Sequence, residues 1–331
     1  MILNSLKNPI FSKNRISYNV HKTAYIIGAY GPSGAGYMAY QLARILHTYF
    51  NYHCIVVTRH NEHPDNQVFQ YPILFKHINI PEMESRIGIN DLLISNPASS
   101  QYFFGSRLPG QKIMYVQSFI TFGIFDGFFD AYVCVSHFVQ QFILRNYGIK
   151  APIIPPFTHP EHLPKPTTWK KRATNKILIM GKRHFKELQA LFQETMQKQH
   201  SEVPFTLIPI PRYSKNQKAL FQLMSTHRYF LQLSPLEGFG LTPLEAMGCG
   251  CLALGFHGSG GLDYMHPTGL RRNCATVAYP QMDKLCQNVA FMLSHPKQAE
   301  KIATRGTTLI QKYKYHVFEQ RWIQFFKNFL Y

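Results

Sequence analysis

Runs of five or six apolar residues recur along the chain and alternate with longer stretches whose apolar positions return every three or four residues. The first pattern suits a strand buried on both faces and the second a helix with one buried face. Their alternation predicts α/β architecture with parallel sheets. In the first half the strand runs are AYIIGA (24–29), CIVVTR (54–59), YPILF (71–75), DLLIS (91–95), KIMYV (112–116) and AYVCVS (131–136). The clearest helix there covers 36–50 and lines up Met38, Leu42, Ile45, Leu46 and Tyr49 on one face. Another follows Ser136, a good N-cap, and stops at Gly148.

Six prolines between 152 and 166 break the alternation. Proline removes backbone donors and blocks helix, so this segment reads as a stiff interdomain connection. Strand runs then resume as KILIMG (176–181), PFTLIPI (204–210), YFLQLS (229–234), CLALGF (251–256) and ATVAY (275–279). Two strand–glycine–helix starts, at 24–36 and 176–190, predict two Rossmann-like domains. The last segment, YHVFEQRWIQFFKNFLY (315–331), predicts a closing amphipathic helix whose aromatic stripe packs into a core.

Composition narrows the class. A chain of 331 residues with 45% apolar and 16% charged residues can bury a real core and is not disordered. No apolar run approaches the ~20 residues that span a bilayer, and no signal-peptide pattern opens the chain, which predicts a cytoplasmic protein. The six cysteines form no CxxC pair and read as buried reduced thiols. The 16 histidines show no H-E-x-x-H spacing, so no metal site is expected.

Charge is the anomaly. The net charge is +18, with 12 Lys and Arg against 7 Asp and Glu in residues 1–150, and 23 against 10 in 151–331. Such an excess favours anionic partners: nucleotides, phosphorylated acceptors, a lipid surface or nucleic acid.

Three stretches carry candidate chemistry. IIGAYGPSGAG (26–36), which includes Gly34, is a strand, a glycine-rich turn and a helix start. It reads equally as a ligand loop, where backbone amides meet an anion, or as a plain tight turn. GKRHFKE (181–187) clusters Lys182, Arg183 and Lys186 after the first strand of the second half. A strand's carboxyl end faces a ligand crevice in this architecture, and a diphosphate there would gain charge-assisted bonds; a solvated basic loop is the other reading.

The third stretch, SPLEGFGLTPLEAMGCG (234–250), places Glu237 and Glu245 eight positions apart in a chain poor in acids. Thr242, Pro243 and Glu245 read as N-cap, N1 and N3 of a helix, so Glu245 has a capping-box explanation. Glu237 has none. It sits after a strand, in a glycine loop that exposes backbone amides. Two carboxylates flanking such a loop can grip two hydroxyl-bearing parts of one ligand, with a phosphate between them.

The stretch EGFGLTPLEAMGCG resembles the E-x7-E motif of retaining glycosyltransferases of the GT-B type, specifically family 4. LALGFHGSGGLDYM (252–265) resembles that family's next strand and glycine-rich turn, and VCVSHFVQQFILRNYGIKAPIIPPF (133–157) the end of its N-terminal domain. The resemblance spans roughly residues 24–310, and 229–265 is its most specific part. It implies that Glu237 binds the transferred sugar and Glu245 the ribose. Amides around Phe239, Gly240 and Leu241 would face sugar or diphosphate. The family's basic pair maps onto Arg183 and Lys186, although here Lys182 directly follows Gly181. Many members carry a histidine after the strand matching KIMYV, where this chain has Gln117 and Ser118. Glutamine still hydrogen-bonds a sugar hydroxyl. No D-x-D motif occurs, which speaks against the metal-dependent alternative fold; cations and helix-terminus amides would stabilise the leaving diphosphate.

The expectation is therefore a GT-B fold, with two Rossmann-like domains whose parallel sheets face across a cleft. The expected divisions are an acceptor-side domain at 1–158 with a basic extension at 1–22, a donor-binding domain at 159–312, and a final helix at 313–331 that crosses back. The expected activity is metal-independent transfer of a sugar from a nucleotide-diphosphate sugar to a glycan or lipid-linked acceptor, as in polysaccharide or lipopolysaccharide biosynthesis, with no cofactor. An anionic membrane surface is the further expected partner. A non-catalytic GT-B subunit is the alternative that Gln117 admits. A nucleic-acid-binding protein would explain the charge and leave the two glutamates unexplained.

Overall fold

The computed structural model describes residues 22–28, 30, 33–58, 69–165, 167–180, 186–210 and 216–331. The basic extension expected at 1–22 lies almost wholly outside them. The first sheet contains β1 (Thr23–Ile27), β2 (His53–Thr58), β3 (Lys76–Asn79), β4 (Leu92–Ser95), β5 (Gln111–Val116) and β6 (Ala131–Cys134). Around it lie α1 (Gly34–Phe50), α2 (Ile80–Arg86), α3 (Phe104–Arg107) and α4 (His137–Tyr147). The second sheet contains β7 (Ala173–Met180), β8 (Thr206–Ile210), β9 (His227–Gln232), β10 (Leu252–Phe256) and β11 (Ala275–Val277). With it go α5 (Lys186–Gln199), α6 (Gln217–Ser225), α7 (Leu241–Gly248), α8 (Met282–Ser294), α9 (Pro296–Gly306) and α10 (Tyr315–Leu330).

Every strand pair in both sheets is parallel. The first sheet runs β3-β2-β1-β4-β5-β6 and the second β11-β10-β9-β7-β8. Both orders reverse once, between β1 and β4 in the first and between β7 and β9 in the second. Ligands of open α/β sheets bind outside the carboxyl ends of the strands that flank such a reversal, because the connections there diverge to opposite faces. The glycine-rich loop follows β1, the basic cluster β7 and the Glu237 loop β9. Topology thus brings the described parts of the three candidate stretches, Gly28, Gly34, Lys186 and the Glu237 loop, to the ends of strands that flank a switch point.

The central strands are buried on both faces, with Ile26, Val56, Leu92, Ile113, Leu178, Phe230 and Leu254 inaccessible to solvent. Helix α1 begins where Ser33 accepts a bond from Gly36 N at 3.1 Å and ends at Asn51 in left-handed conformation. Met38, Leu42, Ile45 and Leu46 are buried, but Tyr49, placed by periodicity on the same face, is exposed. Helix α4 is capped by Ser136, which accepts from Val139 N, and stopped by Gly148.

The strand expected at 71–75 is not one. Tyr40 Oη donates to Ile73 O at 2.9 Å and accepts from Ile73 N at 3.1 Å, and Tyr30 Oη donates to Phe75 O at 3.0 Å. Side chains from the first domain thus take up the backbone groups that a ladder would use, Pro72 has no N–H to donate, and the strand starts at Lys76.

The proline segment first extends the first sheet, with Ile154 N donating to Cys134 O and Cys134 N to Pro152 O. It then meets the returning chain, where Thr158 N donates to Tyr313 O at 2.7 Å. Beyond that point α10 packs on the first domain: Trp322 stacks edge-on against Tyr115 and Phe326 against Phe50. Two chain passages therefore join the halves. The apolar interior of the first domain continues onto the face of the second sheet covered by α6 and α7, through Phe221, Met224, Phe230 and Leu244. A separate core fills the opposite face, around Phe192, Leu231, Leu252 and Val289. All six cysteines are buried and free. Among the described residues no helix is long and apolar enough to cross a membrane.

Candidate functional site

The loop between β9 and α7 is fixed on three sides. Glu237 N donates to Gly258 O at 2.8 Å and Gly260 N to Glu237 O at 3.0 Å, which zips the loop to the turn after β10. Ser136 Oγ, at the N-cap of the first domain's α4, donates to Gly238 O at 2.6 Å. Tyr264 Oη donates to Gly240 O. Gly238 lies directly on the backbone of Gln117, so that a Cβ there would overlap the Gln117 carbonyl oxygen. Only glycine permits this approach. His137 N adds a bond to Asp263 Oδ2 at 3.1 Å across the same boundary.

Helix α7 does not begin as its sequence suggests. Its N-cap is Gly240, at φ 83°, and no side chain caps it; Thr242 is already inside the helix. A left-handed glycine sets the approach of the chain, and Glu245 turns inward rather than back to the helix start. It is buried (7% exposed) and accepts bonds from Thr158 Oγ1 at 3.1 Å and Gln217 Nε2 at 2.7 Å. Burial pushes its carboxyl up to about 7, against the opposing pull of these two donors. The capping-box reading of Glu245 is therefore replaced by a desolvated carboxyl group at the hinge.

The start of α7 faces the start of α1. A Cβ on Gly34 would stand 3.2 Å from Leu241 Cδ1, so the missing side chain admits Leu241 to the glycine-rich loop. Two helix N-termini thus converge, each with the partial positive charge of unpaired amides. Gln117 joins them, its Nε2 donating to Ala35 O at 3.1 Å. Gly34, Gln117, Phe239, Gly240 and Leu241 are one constellation, with half-buried Glu237 in the same loop. Lys186 is exposed at the first position of α5. Lys182 and Arg183 lie outside the described residues.

Beside the hinge a cavity of about 410 Å³ opens between α1, the segment before β3 and the start of α6. Tyr37, Arg44, His159, His162 and Gln217 line it. His159 Nδ1 is 2.5 Å from Glu161 Oε1, and burial holds its imidazole below the ordinary range. Gln217 stands between this cavity and Glu245, its Oε1 3.3 Å from His162 Nδ1. Sequence reasoning missed Thr158, Gln217 and Tyr264, and read Ser136 only as a helix cap. Nothing local marks their roles at the site, since each acts on a residue 24 to 102 positions away.

Residues 165–308 match the family model of the glycosyl transferases group 1. That span takes in nearly all of the second domain. The whole chain has the GT-B fold. Sucrose-phosphate synthase from Thermosynechococcus elongatus superposes with a TM-score of 0.66 at 13% identity, over 93% of this chain and 99% of that one. Anabaena HepE in complex with UDP and glucose gives 0.68 at 11% identity, over 93% and 100%. The lipopolysaccharide outer core galactosyltransferase WaaB gives 0.64 at 13%, over 91% and 98%. No curated protein sequence matches the chain. Both candidate glutamates lie within the matched span, which begins in the proline segment.

Proposed function

We propose that the protein is a retaining, metal-independent glycosyltransferase that moves a sugar from a nucleotide-diphosphate sugar to a glycan or lipid-linked acceptor. The observation that carries this reading is the meeting of the α1 and α7 N-termini at Gly34 and Leu241, beside a loop bearing a carboxylate. The diphosphate lies between those termini, with Lys186 and its neighbours Lys182 and Arg183 supplying charge. Amides and cations there stabilise the negative charge that develops as the glycosidic bond to phosphate breaks, a role that requires no metal ion. Glu237 holds hydroxyls of the donor sugar. Glu245 receives the ribose hydroxyls once Gln217 turns aside, and the cavity that Gln217 lines gives the nucleoside its approach. Gln117, against Gly238 and Ala35, supports the acceptor side and orients the sugar loop.

The solved HepE complex holds UDP and glucose, so UDP is the first nucleotide to test; the likeness to WaaB makes polysaccharide or lipopolysaccharide assembly the pathway class to search. A second reading, a non-catalytic GT-B subunit, is favoured by the engagement of the Gln117 amide with Ala35 O. The deciding measurement is thermal stabilisation by a panel of nucleoside diphosphates, with and without EDTA. A nucleotide at 100 times its Kd contributes about 2.7 kcal/mol, which is about 4 °C for a chain of this length. Equal stabilisation in both buffers is expected. Stabilisation that vanishes with chelator removes the metal-free mechanism, and no stabilisation by any nucleotide removes the donor site. The anomer of the product, read by NMR once a donor is found, tests retention.

A further inference from the structure

Helix α9 carries Lys297, Lys301 and Arg305 at four-residue intervals, all exposed on one side. Arg305 Nη1 reaches Arg272 O at 3.4 Å, which draws the helix against the loop that precedes β11. Between them runs a shallow groove of about 470 Å³, lined by Gly269, Arg272, Lys297, Lys301 and Arg305 together with Gln298 and Ile302, with no acidic side chain.

The loop itself is built to project. Asn273, 2% exposed, closes its base: Oδ1 accepts from His266 N at 2.8 Å, Nδ2 donates to Tyr264 O at 2.9 Å, and the main-chain N donates to His266 O at 3.0 Å. Its tip is a turn in which Arg272 N donates to Gly269 O at 3.2 Å, with Gly269 at φ 73°. Leu270 and Arg271 occupy the corners, and Leu270 is 96% exposed. A lone exposed leucine is ordinary. One held at the tip of a stapled loop, above a groove of four cations and beside a fifth, is a different arrangement.

We propose that this face docks on an anionic lipid bilayer, with Leu270 entering the headgroup layer and Arg271, Arg272, Lys297, Lys301 and Arg305 meeting lipid phosphates. Charge complementarity selects the occupant, and the apolar tip favours a bilayer over a nucleic acid, whose backbone offers a leucine nothing. The loop's base is Tyr264, the residue that holds Gly240, so docking would anchor the candidate donor loop at the membrane. The inference gives the expected membrane partner a location, and it stands whether or not the chain transfers sugar.

The test is cosedimentation of the full chain with phosphatidylcholine vesicles, with and without phosphatidylglycerol. Wild type should bind the anionic vesicles, and weaken as salt is raised. Each cation near an anionic leaflet changes partition about fivefold, so K297A/K301A/R305A should lose about a hundredfold. L270S should lose about tenfold at every salt concentration, since it removes apolar insertion and no charge. K170A/K171A, a neutralised pair outside the groove, should bind as wild type does. Circular dichroism melts confirm that each variant is folded. Wild-type binding without preference for the anionic vesicles, or undiminished binding by the triple variant, overturns the proposal. Binding of an oligonucleotide that the triple variant abolishes, with L270S indistinguishable from wild type on vesicles, assigns the face to nucleic acid instead and also overturns it.

Discussion

Replacing Glu245 by glutamine separates two forces acting on one carboxyl group. In the native structure the group is buried, accepts from Thr158 Oγ1 and Gln217 Nε2, and titrates near 7 rather than at its ordinary 4.5. The unfolded chain gives up this proton at about 4.5 and the folded chain keeps it until about 7. Through that window the unfolded state holds fewer protons, so stability falls as pH rises and levels off above 7. Two and a half pH units at about 1.4 kcal/mol each set a ceiling of about 3.5 kcal/mol, nearly all of it lost by pH 8. Glutamine keeps the shape and an acceptor oxygen for both donors but has no charge to desolvate. Glu245→Gln should therefore be more stable than wild type at pH 8 by up to about 3 kcal/mol, about 4 °C in Tm, and by less than about 1 kcal/mol at pH 5. Its nucleotide affinity should move the other way. A ribose diol donating to both carboxylate oxygens loses one acceptor, at about 1–3 kcal/mol. Wild-type affinity should also weaken as pH falls below 7, where the carboxylate protonates. Calorimetric melts at pH 5 and 8, and titration calorimetry with UDP, read both effects. If variant and wild type differ by the same Tm at both pH values, the carboxyl is not desolvated. If UDP binds both equally, the ribose role is wrong.

Three further perturbations test the rest of the site. Gly238→Ala puts a methyl into the Gln117 carbonyl, where neither backbone yields easily, and should lower Tm by about 2–4 °C and depress transfer; unchanged melting and turnover would mean that the two loops do not close as described. Arg183→Ala and Lys186→Ala should each weaken UDP binding by about 1.5–3 kcal/mol while leaving uridine binding intact, and wild-type UDP affinity in both would reduce the cluster to a solvated loop. Glu237→Gln should keep UDP binding but lose the added affinity of the donor sugar and most transfer, measured by calorimetry and by product formation; full turnover would detach Glu237 from the reaction.

Much of the architecture is legible along the chain because its cause is local. A parallel strand is buried on both faces and must be apolar throughout, so Ile26, Val56, Ile113 and Phe230 announce their strands wherever they pack. Ser136 and Gly148 mark the ends of α4 because a cap is a bond across three residues and a left-handed turn is a property of one. The glycine-rich loop, the basic cluster and the two glutamates stand out by composition, and their positions after strands are enough to suggest a ligand. Other features have causes that lie elsewhere in the chain. YPILF reads as a strand until Tyr30 and Tyr40, more than thirty positions upstream, take its backbone groups. Tyr49 obeys the helical period and is still exposed, because periodicity orders a face without saying how far the core reaches.

The site divides in the same way. Sequence alone determined which residues are candidates for the chemistry: two carboxylates, a glycine loop and a cation cluster, with Gln117 added by the family resemblance. Only the tertiary structure decided what those residues are. Glu245 read as a helix cap from its spacing to Thr242, and it became a desolvated carboxyl group because Thr158 and Gln217, 87 and 28 positions distant, close over it. Gly238 read as one loop glycine among several, and it became the point where the second domain rests on Gln117 of the first. Spacing encodes what a residue can do within a turn or two of backbone. Charge state, burial and approach across a cleft are set by whichever side chains the folded chain brings alongside, and those can come from any distance along it.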